Sequence, residues 1–151
     1  MRHTKDNVVR RTVDEFEQLD GLIRRLRPGD WDRRVPRPEG RDPWTVKDAL
    51  VHIVWWKELT TRTIRRRRRP IEFRGLGVPE VNHLVYERWR DQPASEVVEW
   101  HRRVHQDALL ALTETPAEWF GSRERSPVWP GDFDGHSAGH RVRDIEAAIA
   151  T

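Results

Sequence analysis

Thr45 and Asp48 set the point at which this chain must turn into a helix. Threonine followed three residues later by an acid is a reciprocal cap, in which the hydroxyl takes one orphan backbone N–H and the carboxylate takes another. From there Ala49, His52, Ile53, Trp56, Leu59 and Thr63 return to one face at helical spacing, and Trp44 is placed to pack back on the first turn. The same periodicity turns His52 toward the interior. A helix with one apolar face is marginal alone in water, so the rest of the chain has to cover it.

Three further helical patterns can do so. Val9, Val13, Phe16, Leu19, Ile23 and Leu26 recur at helical spacing until Pro28 and Gly29 stop them. A third helix comes in two pieces. The first starts at Pro79, a natural first-turn proline, and runs to about Arg90. The second is capped by Ser95 and carries the stripe Val98, His101, Val104, His105, Ala108, Leu109 and Leu112. The last pattern, from Gly135 to Ala150, lines up His136, His140, Val142 or Arg143, and Ala147. The segment between Pro28 and Pro43 reads as a surface loop pinned by Trp31, and Pro116 to Gly135 as a long ordered loop carrying Trp119, Phe120, Trp129 and Phe133. Four amphipathic helices with such connections predict an all-α, antiparallel four-helix bundle. A chain of 151 residues suits one such domain, residues 1–151.

Charge and composition narrow the partners. A net charge of +3 arises from 28 basic and 25 acidic residues that are interspersed. The basic run Arg65 to Arg69 falls where the second helix ends, so it reads as a solvated last turn complementing the helix dipole. Without a nucleic-acid-binding motif beside it, no nucleic-acid partner is expected. No apolar run reaches the ~18 residues that a membrane span requires, and the first residues lack the apolar core of a signal peptide. The absence of cysteine fits a cytoplasmic setting and leaves His, Asp and Glu as the available metal ligands.

Those ligands point to a candidate site. His136 and His140, four residues apart on a helix, can converge on one ion, and His52 is the best third ligand. Three histidines leave positions open for water and substrate, as in a catalytic ion site. Asp48 and Asp144, each four residues from one of these histidines, are candidates to orient them, or else are a dipole partner and a surface charge. His101 and His105 repeat the same spacing and read as core histidines, pocket residues or a rival pair. Trp55, Trp56, Trp129 and Tyr86 are candidate pocket walls or aromatic core.

The capped Trp44-Thr45-Val46-Lys47-Asp48 helix with His52-Ile53 and Trp56, then Val81 to Trp89, the Trp100 to Leu112 helix, and a C-terminal His136-x-x-x-His140 resemble the DinB/YfiT-like superfamily. More narrowly, they are similar to its ClbS/DfsB branch, with Ser137 and Gly139 standing where that branch often has Tyr and Glu. The resemblance implies an up-down-down-up bundle and a divalent transition metal (Zn, Ni, Fe or Mn) on His52, His136 and His140. It further implies hydrolysis or other detoxification of a reactive small molecule, or S-transfer from a low-molecular-weight thiol of the mycothiol or bacillithiol type. For the thiol, exposed arginines such as Arg88 or Arg90 are candidate anchors. The third expectation is a non-catalytic bundle that sequesters a small molecule or serves in a stress response. The aromatic content admits a homodimer through a helix face.

Overall fold

The computed structural model describes residues 4–120 and 133–150, so Trp129, an expected pocket wall, lies outside the described residues. Helix α1 spans Lys5–Arg25 and is capped by Thr4, whose hydroxyl accepts the Asn7 N–H at 3.2 Å. Its buried line is Val8, Thr12, Glu15, Leu19, Leu22 and Ile23, so the inward face is turned from the apolar stripe that periodicity suggests. The polar members sit inside because they are satisfied there. Thr12 donates to the Val8 carbonyl at 2.7 Å, and Glu15 accepts from Arg141 at 2.9 Å.

Helix α2, Val46–Ile64, begins at the expected reciprocal cap: Thr45 Oγ1 accepts from the Asp48 N–H at 3.3 Å and Asp48 Oδ2 accepts from the Thr45 N–H at 2.9 Å. It is buried almost all round from Ala49 to Trp55, which marks it as the central helix. Arg66, just past its end, has φ 58°, in the left-handed region usual for a helix terminus but costly for a non-glycine residue. Helix α3, Val78–Trp89, starts with its proline in the first turn. Helix α4, Ala94–Glu114, is capped by Pro93 rather than Ser95. Pro93 already has the extended backbone of a cap, and its carbonyl accepts from Glu96, so Ser95 falls inside the first turn and is exposed. A short α5, Ala117–Phe120, interrupts the expected long loop. The C-terminal helix consists of α6, Gly135–His140, a π-helical stretch, Arg141–Glu146, and α7, Ala147–Ile149.

Side-chain pairs fix the directions of these helices. Lys5 reaches the Thr113 carbonyl and Arg102 reaches Asp20, so α1 and α4 run antiparallel. Trp100 donates to Glu58 and Arg65 pairs with Asp107, so α2 and α4 run parallel. Arg11 pairs with Asp134, Glu15 with Arg141, and Gln18 with Arg141, so the C-terminal helix runs with α1. The result is an up-down-down-up four-helix bundle, and the parallel α2–α4 pair requires the crossover that α3 provides. Trp89 of α3 stacks flat on Trp100 of α4, with centroids 4.3 Å apart, which holds the crossover against the bundle.

The main core gathers α2 with Leu19, Leu22 and Ile23 of α1, Val81 and Val85 of α3, and Val97, Trp100 and Val104 of α4. A second, smaller core joins Val8, Ile64, Ala108, Ala111 and Leu112 to Trp119, Phe120 and Phe133. Trp31 packs against the main core, as a pin for its loop should. An isolated antiparallel bridge between Arg34 and Thr45 closes that loop at its far end, and His83 of α3 meets Asp42 at 3.0 Å. The loop is therefore tied down on both sides of Glu39. Among the described residues, no helix is long and apolar enough to cross a membrane.

Candidate metal centre

The bundle brings His52, His136 and His140 to one point. Their Nε2 atoms lie 3.2 Å (His52 to His136), 3.1 Å (His52 to His140) and 3.0 Å (His136 to His140) apart. Helix α2 supplies His52, which is 3% exposed, and the C-terminal helix supplies the other two from successive turns. Glu39 joins them from the loop, with Oε2 3.2 Å from His52 Nε2 and 3.0 Å from His140 Nε2. Nothing local in the sequence marks Glu39: it lies in the Pro-rich loop before α2, and only the bridge and the His83 contact carry it to the histidines.

Asp144 supports the group from behind. Its carboxylate is fully buried, with Oδ2 2.6 Å from His140 Nδ1, while Arg143 donates to both oxygens at 3.0 and 3.2 Å. The carboxylate at 2.6 Å can only accept, so it favours the proton on Nδ1 over the Arg143 Nη2 contact at 2.9 Å to the same nitrogen, and with it a lone pair on Nε2 aimed at the cluster. The π-helical stretch begins directly after His140, and its wider turn brings the fourth residue on more nearly under the first than an α-helical turn would. Burial pushes the Asp144 carboxyl up, but the hydrogen bonds from His140 and Arg143 outweigh it and hold it below the usual value. Asp48, the other candidate for such a role, is engaged in the α2 cap instead, where burial raises its carboxyl.

Electrostatics favour a cation. Burial, with the neighbouring His140 and His52, pushes His136 down to about 4, and burial also lowers His52. Glu39, hydrogen-bonded by His52, is held down to about 2. His136 is thus neutral and Glu39 ionised, and burial favours the neutral form of His52. Three ligands each 2.0–2.1 Å from one ion sit about 2.9 Å apart in octahedral and about 3.3 Å apart in tetrahedral geometry, and the observed nitrogen triangle falls between these. Three imidazole nitrogens and a carboxylate oxygen gathered at one point form a donor set that fits a divalent transition metal.

Aromatic rings wall the group. Trp44 lies with its ring centroid 4.7 Å from that of His52 and 6.2 Å from that of His140. Trp56 stands edge-on at 6.3 Å from His52 and 6.5 Å from His136, held by its indole N–H donating to Asn82 at 3.0 Å. Trp55 is instead buried core, edge-on to Phe73, and Tyr86 packs against the main core. His101 and His105 lie apart from the group, stacked under Phe16. Arg88 is engaged with Glu72 and lies over the Phe73 ring, and Arg90 sits 3.9 Å from Glu87 and Asp91.

Comparison with solved structures returns the same fold. An uncharacterised protein from Escherichia coli UTI89 superposes with a TM-score of 0.71 at 11% identity, covering 95% of this chain and 94% of that one. The colibactin self-resistance protein ClbS, solved in complex with a dsDNA, gives a TM-score of 0.65 at 11% identity, covering 92% of this chain and 94% of its own. That complex is an observation on ClbS, and the likeness at 11% identity shows the shared fold. Among curated proteins no match is found. A family model described as the mycothiol maleylpyruvate isomerase N-terminal domain matches residues 13–147. The chain therefore belongs to the mycothiol maleylpyruvate isomerase N-terminal domain family, within the DinB/YfiT-like superfamily that its motifs resemble.

Proposed function

We propose that the chain is a metal-dependent enzyme that disarms a reactive small molecule by adding a nucleophile, from water or from a low-molecular-weight thiol. The observation that carries this reading is the convergence of three imidazole nitrogens and one carboxylate oxygen on a single point. A divalent cation held by His52, His136 and His140 would supply Lewis acidity toward a nucleophile or an electrophilic oxygen. The chain's own groups do the rest. Asp144 keeps the His140 lone pair directed inward, Trp44 and Trp56 exclude water from two sides, and Glu39 brings a carboxylate within reach of the proton of the nucleophile. The name of the matched family includes mycothiol, a low-molecular-weight thiol, which supports the thiol as nucleophile over water.

Glu39 separates binding from chemistry. Its side chain is 42% exposed at the mouth of the group, whereas His52 and His140 lie behind it. Glu39→Gln is expected to keep close to one equivalent of metal in untagged protein, with affinity lowered about tenfold, while thiol transfer or hydrolysis of a model electrophile falls by about 10²–10⁴. Elemental analysis, chelator competition and steady-state rates check this. Unchanged turnover in the variant would remove Glu39 from the proton transfer.

Duplex DNA is a second reading, prompted by the ClbS complex and favoured here by Arg66, Arg67 and Arg68, which are exposed and have no side-chain partner among the described residues. If they meet phosphates, fluorescence anisotropy with a labelled duplex should give a log–log salt slope that falls by about 2–3 in the triple alanine variant. An unchanged slope would refute the reading.

A further inference from the structure

A second polar cluster lies inside the bundle, away from the histidine group. Lys57 of α2 is 1% exposed, and its Nζ has no hydrogen-bond partner. Within reach of its charge on α4 are His101 and His105, 1% and 4% exposed, each with Nδ1 likewise unpartnered. Phe16 of α1 covers them, its ring parallel to His105 with centroids 3.6 Å apart and 4.8 Å from that of His101.

The carboxylates of the neighbourhood are committed elsewhere. Asp20 Oδ1 lies 3.4 Å from His101 Nε2, but the carboxylate is bound by Arg24 and Arg102. Glu15, the acidic group whose field Lys57 feels, is held by Arg141 and Ser137. Burial and the Lys57 charge keep His101 and His105 neutral, at about 3 and about 4, so each imidazole carries one N–H at pH 7. Burial lowers Lys57 itself to about 8, which still leaves it largely protonated at pH 7. The interior therefore presents an ammonium with no carboxylate of its own beside two neutral imidazoles whose Nδ1 atoms are unpartnered, and buried polar groups in native proteins are as a rule paired.

We infer that Lys57, His101 and His105 form an interior binding site for a small carboxylate, with Phe16 as its cover. A carboxylate supplies both the missing negative charge and the acceptors, and its two oxygens can be shared between the ammonium and the imidazoles. Neither the charge balance nor the geometry involves the metal group, so this site stands independently of the enzymatic reading.

Thermal melting in sodium acetate, with sodium chloride at equal ionic strength as reference, tests it. At an acetate concentration ten times Kd and pH 7, the wild-type midpoint should rise by about 3 °C or more over chloride, and the rise should fade as the pH passes well above 8 and Lys57 loses its proton. Lys57→Met should abolish the response. In parallel, labelled acetate bound to the wild-type protein should show a nuclear Overhauser contact between its methyl group and the Phe16 ring. An equal midpoint shift in the Lys57→Met protein, an equal effect of chloride, or no contact with Phe16 at saturating acetate would each overturn the assignment.

Discussion

His52→Ala is expected to take bound transition metal from close to one equivalent to a small fraction of one, with the helical content kept. His52 is the only one of the three histidines on α2, so its loss leaves two ligands from one helix and removes the link by which an ion would tie α2 to the C-terminal helix. The drop in affinity should exceed the 10–100-fold typical of changes behind the ligands, because a coordinating atom is lost. His52 also packs against Trp44, so the variant should lose some stability, and His52→Gln, closer in volume, controls for that. His101→Ala, which touches a different cluster, should leave metal content unchanged. Elemental analysis of untagged proteins after reconstitution with Zn, Ni, Fe and Mn decides the matter. Full retention by both His52 variants would mean that the three nitrogens hold no ion.

The fold is legible where local chemistry and tertiary packing ask for the same thing. The Thr45–Asp48 cap, the inward turn of His52, the first-turn proline of α3 and the pinning role of Trp31 all follow from short-range rules that the packed bundle does not contradict. Where a polar residue is buried because a distant partner satisfies it, periodicity misleads. Glu15 sits in the core because Arg141 and Ser137, more than a hundred residues on, neutralise it, and this turns the buried line of α1 away from Val9, Val13 and Phe16. The same reasoning explains Ser95: its residue type suits a cap, but Pro93 reaches the cap geometry first.

The site divides in the same way. His136 and His140 are legible from spacing, and Asp144 from its place one further turn on. Glu39 and Trp44 are not, since both reach the histidines only through the bridge that closes the loop before α2. The four-residue repeat of His101 and His105 looks the same in sequence as that of His136 and His140. What separates them is what lies opposite. Glu39 and His52 face one pair, whereas Lys57 and Phe16 face the other, and a lysine ammonium beside two imidazoles repels a metal ion.

That contrast makes Asp144 the most informative position behind the histidines. The carboxylate is fully buried and accepts the His140 Nδ1 proton at 2.6 Å, so it sets which nitrogen of His140 faces the group. Asp144→Asn keeps the shape and a carbonyl acceptor but removes the charge, and free rotation of the amide also lets its NH₂ face His140, which would favour the wrong tautomer. Metal affinity should fall 10–100-fold in this variant. Asp144→Ala should show the same loss and, in addition, destabilise the protein by about 1–3 kcal/mol, because the buried His140 N–H loses its acceptor and either stays unpaired or gives way to the tautomer that accepts from Arg143 Nη2 at 2.9 Å. Arg143 adds little to that cost, since its side chain is half exposed and can turn to water. Chelator competition measures the affinity and denaturant unfolding of the metal-free protein measures the stability, so the two effects are read separately. A loss of stability without a loss of affinity would assign Asp144 to the core of the C-terminal helix alone, and an unchanged affinity in both variants would end its role in directing His140.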